Sequence, residues 1–271
     1  MKKILVASDF STCAGNALQY AIELAKILSL EVSVIHAISP TEGINNNTYN
    51  ALYIEDYYNS KREALATWTK TYTEAFPTIE LSTTCEVGSL ASVITKYMEA
   101  NPVELLVMGT MGSTGISGLF GSNASMMVEK TKTPTLIIPL ESKFSVNAVI
   151  TLATDFSTHL SPEDIAGMNE LLTAMGTKKL NVINIVEGND WKTNEPGEEK
   201  LKSMIPHTEL DFKYIAENST LDGILNFVVS SQTDILCLVK HHHNLVYRIF
   251  NRSTVNKVLS RPLNAVLVLH E

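Results

Sequence analysis

The stretch "ELLVMGTMGSTGISGLFGSNASMMVEKTKTPTLIIP" (Glu104 to Pro139) has the pattern of a strand, a glycine-rich loop, a helix and a second strand. Five of the chain's thirteen glycines fall between Gly109 and Gly121. Glycine lets backbone approach a ligand closely, and the first turn of a helix offers free N–H groups to an anion. We therefore expect a phosphate-binding loop that ends at a helix start near Ser122. Its spacing matches neither the GxxxxGK[ST] nor the GxGxxG motif.

A tandem duplication surrounds this stretch. The same order of segments recurs without a gap at Asp234–Leu269, 130 positions later. "LVASDFSTCAGNAL" (Leu5–Leu18) is echoed by "TLATDFSTHLSPED" (Thr151–Asp164), 146 positions later, so the second copy is sixteen residues shorter in its middle. We predict two domains, residues 1–141 and 146–271.

Each copy alternates short apolar runs with segments of helical periodicity. Regular alternation implies parallel strands, right-handed crossovers and helices on both faces of the sheet. We predict two tandem doubly wound α/β domains of the flavodoxin-like or Rossmann-like class, each with a five-stranded parallel sheet in the order 3-2-1-4-5. The final strands, "TPTLIIP" and "NAVLVL", are apolar edges. Pairing would remove such edges, so we expect these two strands to pair between the domains.

The predicted strand order brings Asp9 and the glycine loop together. Ligands of such sheets bind outside the carboxyl ends of the strands, where the strand order reverses. Asp9 follows the first strand and Gly109 ends the fourth, and these strands flank that point. Asp9 also has a structural alternative, because Asx residues often order a turn. The second copy keeps Asp155 while losing every loop glycine, so both roles stay open.

Composition excludes several classes of function. The net charge of −8 argues against a nucleic-acid-binding surface. Three scattered cysteines form neither a zinc pattern nor a disulfide framework and suit a reducing cytosol. The apolar run near the N-terminus is too short for a signal-peptide core, and no stretch is long enough to span a membrane. We expect a cytoplasmic protein that binds neither nucleic acid nor membranes.

At these motifs the chain resembles the universal stress protein family, as two tandem copies over its whole length. That family carries an Asp at the end of a strand and a motif G-x2-G-x9-G-[ST] that binds ATP in its nucleotide-binding members. The matching residues are Asp9, Gly109, Gly112 and Gly121-Ser122. Eight residues, not nine, separate Gly112 from Gly121.

The resemblance implies an adenine-nucleotide site for ATP, AMP or ADP, with Mg²⁺. Asp9 would meet the adenine, the start of the loop the ribose, and the later glycines the phosphates. No Lys or Arg lies in the loop, so the helix dipole and a divalent cation would neutralise the phosphates. The implied site residues are Ala7, Ser8, Asp9, Ala37, Met108, Gly109, Thr110, Met111, Gly112, Gly121, Ser122 and Asn123.

No catalytic set stands out, and we expect no catalytic residues and at most slow ATP hydrolysis. The favoured function is an ATP-binding stress-response protein that acts through ligand occupancy and an unidentified protein partner. Two alternative functions stay open: an interaction or scaffold module with an empty site, and a slow ATPase or phosphotransfer protein. A homodimer also stays open. One nucleotide per chain is expected, because the second copy replaces the four motif positions after Asp by Val239, His242, Asn251 and Arg252.

Other conspicuous residues have simpler interpretations. The run His241–His243 resembles a metal site, but adjacent side chains do not converge on one ion, so a solvated loop is favoured. Lys240 and the arginines that follow could bind an anion or merely lie on the surface. His36 is expected in the core or at its rim. The packing face of a helix is expected to include Tyr53, Tyr57, Tyr58 and Trp68.

Overall fold

The computed structural model describes residues 2–40, 51–110, 122–156, 160–186, 193–240 and 264–270. Strands and helices alternate through these residues, as predicted. The strands are β1 Lys3–Ala7, β2 Glu31–Ile38, β3 Leu81–Val87, β4 Val103–Gly109, β5 Thr135–Ile138, β6 Ile150–Ala153, β7 Lys179–Val186, β8 Glu209–Ala216, β9 Ile235–Lys240 and β10 Ala265–His270. The helices are α1 Thr12–Leu28, α2 Ala51–Ala75, α3 Leu90–Ala100, α4 Ser122–Lys130, α5 Ala166–Ala174, α6 Glu195–Met204 and α7 Thr220–Ser230.

The strands form one sheet in the order β3-β2-β1-β4-β5-β10-β9-β6-β7-β8. Each half of this sheet therefore has the predicted order 3-2-1-4-5, with parallel neighbours throughout the half. The chain consists of two tandem flavodoxin-like α/β halves. The predicted bounds of the two domains, 1–141 and 146–271, stay a prediction.

The two final strands pair with each other, as predicted. β5 and β10 run antiparallel, and Val266, Leu267 and Val268 lie opposite Ile137, Leu136 and Thr135. All six residues are buried. The pairing removes two apolar edges and joins the halves into a single ladder, because each strand's backbone groups bond to the other strand instead of to water.

Local sequence signals set the helix starts of the first half. Ser11 precedes α1, and its side-chain oxygen accepts a hydrogen bond from the backbone N–H of Ala14. Ser89 precedes α3, and its side-chain oxygen accepts a hydrogen bond from the backbone N–H of Ser92. Both hydroxyls satisfy N–H groups that have no partner within the helix.

The halves differ where the sequence is shorter. α2 has 25 residues, whereas α6, its counterpart, has 10. α5 ends at Ala174, the position equivalent to the end of α1, but it begins eight positions later than α1 does. Pro162 lies within the lost segment, and proline removes a backbone donor from a helix interior. Over the described residues, no helix has the length and apolar character needed to cross a membrane.

Candidate functional site

Asp9 lies in a tight turn between β1 and α1. Its Oδ1 accepts a hydrogen bond from the backbone N–H of Ser11 at 3.1 Å, so the predicted role in ordering the turn is confirmed. Phe10 has a φ of 63°, an uncommon conformation for a non-glycine residue. The counterpart Phe156 has a φ of 55°. The shared Asp-Phe pair therefore encodes the same backbone turn in both halves.

A side chain on the neighbouring strand holds this turn from below. The Nδ1 of His36 lies 2.8 Å from the carbonyl oxygen of Ser8 and donates to it, because the carbonyl can only accept. In the second half Asn184 donates to the carbonyl oxygen of Thr154 at the same distance. His36 is 7% exposed, and its ring centroid lies 4.4 Å from that of Phe10. The expected core position of His36 is confirmed, and its role is to fix the turn that carries Asp9.

Gly109 ends β4 directly beneath the start of α1. A Cβ atom at this position would lie 2.8 Å from the Sγ of Cys13, 3.1 Å from the Cys13 carbonyl carbon and 3.2 Å from the Cys13 carbonyl oxygen. The glycine is therefore required for the close approach of α1 to the strand end. Sequence analysis missed this packing role, because the two residues lie 96 positions apart.

The two neighbours of Gly109 are buried in the end of the sheet. Met108 and Thr110 are 4% and 5% exposed. The backbone N–H of Thr110 donates to the carbonyl oxygen of Ile138 at 3.1 Å, and its Oγ1 lies 3.7 Å from the Sγ of Cys13. Ala7 is the last residue of β1 and Ala37 the next-to-last residue of β2, and both side chains are single methyl groups.

α4 begins at Ser122, on the chain that returns from β4. Asn123, the second residue of α4, is exposed. The backbone N–H groups of the first turn have no acceptor within the helix, so this end of α4 attracts anions. Met111, Gly112 and Gly121 lie outside the described residues, as do His241–His243 and Arg252.

Sheet register brings these elements to one edge. Val6 of β1 lies opposite Val107 of β4. Asp9 comes three residues after Val6, and Gly109 comes two residues after Val107, so both lie at the same edge of the sheet. β1 has β2 on its other side, and β4 has β5. The crossovers from β1 and from β4 therefore leave the sheet in opposite directions, which opens the crevice that such folds use for ligands.

The equivalent edge of the second half is built differently. Val239 stands at the position of Gly109 and is 4% exposed. Asp155 is exposed, whereas Asp9 is half-buried. Because α5 begins only at Ala166, no helix start approaches the end of β9 as α1 approaches β4 within the described residues.

The remaining predicted residues have structural positions. Tyr57, Tyr58 and Trp68 pack against the core of the first half, which confirms their predicted position on the packing face of α2. The side chain of Tyr53 lies outside the described part of the chain. Within the described part of the chain, no group of three or more His, Cys, Asp and Glu side chains is arranged to hold a metal ion. Lys240, grouped from sequence with a basic loop, instead contacts α4, as described below.

Comparison with known proteins identifies the family. The model of the universal stress protein family matches residues 1–139. A universal stress protein of Methanocaldococcus jannaschii is 30% identical over 145 residues, which cover 52% of this chain and 84% of that protein.

Solved structures share the tandem arrangement. A universal stress protein from Archaeoglobus fulgidus aligns with a TM-score of 0.74 at 19% identity, over 98% of this chain and 97% of that one. A functionally unknown protein from Pseudomonas aeruginosa PAO1 aligns with a TM-score of 0.57 at 13% identity, over 99% and 92%. These similarities support the fold, and the family match extends over the half that carries the candidate site. The chain belongs to the universal stress protein family.

Proposed function

We propose that the first half of the chain binds one adenine nucleotide, foremost ATP with Mg²⁺. The protein would act through occupancy of this site, which changes a surface that a protein partner binds. The observation that carries the proposal is the adjacency of β1 and β4 at the point where the strand order reverses. It brings the turn of Asp9 and the end of β4 to the same edge of the sheet, where doubly wound folds bind their ligands.

The chemistry of the described residues suits such a ligand. The half-buried carboxylate of Asp9 can accept a hydrogen bond from the exocyclic amine of adenine or from a ribose hydroxyl. The small side chains of Ala7 and Ala37 would allow a flat base to approach the ends of β1 and β2. The free N–H groups at the start of α4 suit phosphate oxygens, and the exposed amide of Asn123 adds a donor. Gly112 and Gly121 would complete the phosphate site.

Occupancy can be transmitted because α4 contacts both halves. Met127 packs in the core of the first half with Met108 and Ile94. Ala124 and Val128 pack in a cluster that includes residues of β9 and β10. A ligand at the start of α4 therefore biases the position of a helix that the second half also contacts. We also propose that a protein partner responds to this change. We expect the protein in a reducing cytoplasm, which suits the buried free thiols of Cys13, Cys85 and Cys237.

Calorimetry with ATP and Mg²⁺ tests the proposal. We expect a binding ratio near one nucleotide per chain and loss of binding in Gly121→Val, because a β-branched side chain would occupy the space that the phosphates need. Asn251→Val changes the equivalent position of the second copy and serves as the matched control. A parent protein that binds no adenine nucleotide, or a Gly121→Val variant that binds ATP like the parent, would contradict the proposal. A ratio near two would contradict the restriction to the first half.

A further inference from the structure

We infer that Lys240 of the second half is a positioning residue for the nucleotide site of the first half. This inference rests on the proposed function and deepens it. Lys240 ends β9, and its Nζ donates hydrogen bonds to the carbonyl oxygens of Val128 at 2.9 Å and Glu129 at 3.0 Å. These atoms join the second half to the last turn of α4, the helix whose first turn faces the proposed phosphate site.

The contact supplies what the end of α4 lacks. The last four carbonyl groups of a helix have no N–H partner within it. The backbone N–H of Thr131 bonds to the carbonyl oxygen of Met127 at 2.9 Å, and Lys240 bonds to the next two carbonyls. A cation at this end also interacts favourably with the helix dipole. The ammonium group therefore acts as a C-cap that is provided by the other half of the chain.

α4 needs such an anchor because it is short. It has nine residues, and isolated helices below about 12 residues are marginal in water. The Lys240 contact at Val128 lies six residues after Ser122, which is about 9 Å along the helix at 1.5 Å per residue. A shift at the capped end moves the first-turn N–H groups as well, since the helix moves as a rigid rod. Phosphate binding depends on their position, whereas contacts to the base at Asp9 do not.

The position of Lys240 shows how the second half contributes without a nucleotide site of its own. By the offset of 130 residues, Lys240 is the counterpart of Thr110 in the first half. Thr110 is buried against Cys13 near the start of α1. α5 begins too late to meet the end of β9 in the same way. The side chain at 240 extends to α4 instead, so a position that belongs to the crevice in one half supports the crevice of the other.

The test combines two measurements on the full chain. Lys240→Met removes the donors and the charge while keeping much of the stem, and Lys240→Arg keeps both. Lys213→Met is the matched control, because Lys213 is a partly exposed lysine on β8, at the far edge of the second half. Amide hydrogen exchange without nucleotide reports on the peptide 122–132, and calorimetry reports the dissociation constants of ATP and of adenosine.

We expect Lys240→Met to raise exchange in peptide 122–132 and to weaken ATP binding about tenfold. Adenosine binding should change by less than about twofold, because the base contacts lie outside α4. Lys240→Arg should recover most of the ATP affinity, and Lys213→Met should behave like the parent. An unchanged ATP affinity in Lys240→Met overturns this inference alone, as does an equal loss of ATP and adenosine binding. A parent protein that binds no ATP overturns the proposed function and, with it, this inference.

Discussion

Replacement of Gly109 by alanine tests whether the end of β4 is shaped by its contact with α1. The new Cβ would lie 2.8 Å from the Sγ of Cys13 and 3.1 and 3.2 Å from two backbone atoms of the same residue. Real Cβ atoms essentially never come as close as 2.8 Å to another heavy atom, and the two backbone contacts are tighter than most, so Cys13 and the start of α1 must shift by a few tenths of an ångström. Such overpacking typically costs about 1–3 kcal/mol. We expect Gly109→Ala to lower the free energy of unfolding by this amount.

The identity of the contacting atoms sharpens the prediction. Cys13→Ala removes the Sγ, the closest of the three atoms, but leaves the two backbone contacts in place. The double variant should therefore recover part of the loss, with a favourable coupling of about 0.5–2 kcal/mol in a double-mutant cycle. Urea unfolding of the parent, both single variants and the double variant measures this coupling. Because α1 begins just after the turn of Asp9, ATP affinity should fall in Gly109→Ala as well.

The second half provides the matched control. Val239 stands at the position of Gly109 and is buried, so Val239→Ala should destabilise by leaving a cavity rather than by crowding. Alanine is thus expected to destabilise the first half by crowding and the second half by leaving a cavity. Only Gly109→Ala should show a favourable coupling energy with Cys13→Ala. A Gly109→Ala variant within about 0.5 kcal/mol of the parent, or strict additivity with Cys13→Ala, would refute the role assigned to the glycine.

Two further predictions concern charged groups. Asp9→Ala should weaken ATP binding by about 1–2 kcal/mol through the loss of one or two hydrogen bonds, whereas Asp155→Ala should leave it unchanged, and calorimetry on both variants decides. Burial, aided by the nearby charge of Lys240, lowers the pKa of His270 from 6.5 to about 4. Between these two pH values the imidazole is protonated in the unfolded chain and neutral in the folded chain. The free energy of unfolding should therefore fall as the pH drops from about 6.5 towards 4. Between pH 7 and pH 5 His270 should lower the free energy of unfolding by about 2 kcal/mol. Urea unfolding should show this loss in the parent and not in His270→Gln. If the free energy of unfolding has the same pH dependence in both proteins, the prediction is wrong.

Local features of the fold follow from the sequence. The run Glu31–Ile38 is rich in β-branched residues and forms a strand, and Ser89 caps α3, as its position before an apolar helical pattern indicates. The strand order and the β5–β10 pairing could also be predicted, because alternation and an apolar edge leave few arrangements. The strand and the helix cap depend on signals within a few residues, whereas the strand order and the pairing follow from the pattern of the whole chain.

The features that sequence analysis missed are contacts between distant residues. The approach of Cys13 to Gly109 and the contact of Lys240 with Val128 join positions about a hundred residues apart. In the sequence, Gly109 has the same appearance as the loop glycines, and Lys240 has the same appearance as the basic residues after it. The late start of α5 did have a local signal in Pro162, whose missing N–H and ring oppose a helix interior. Packing decided the role of the other residues, and packing is not local.

We propose that the second half lacks a nucleotide site for more reasons than its missing loop glycines. In the first half, a helix that begins at Thr12 and a glycine at the end of β4 require each other, since any larger residue would meet Cys13. In the second half the helix begins at Ala166, which removes this restriction, and Val239 is buried there. Val239→Gly alone should therefore leave a cavity and cost about 2 kcal/mol or more without raising the binding ratio above one nucleotide per chain. A site would return only with a helix start above the strand end, because the glycine and the helix form a single structural unit.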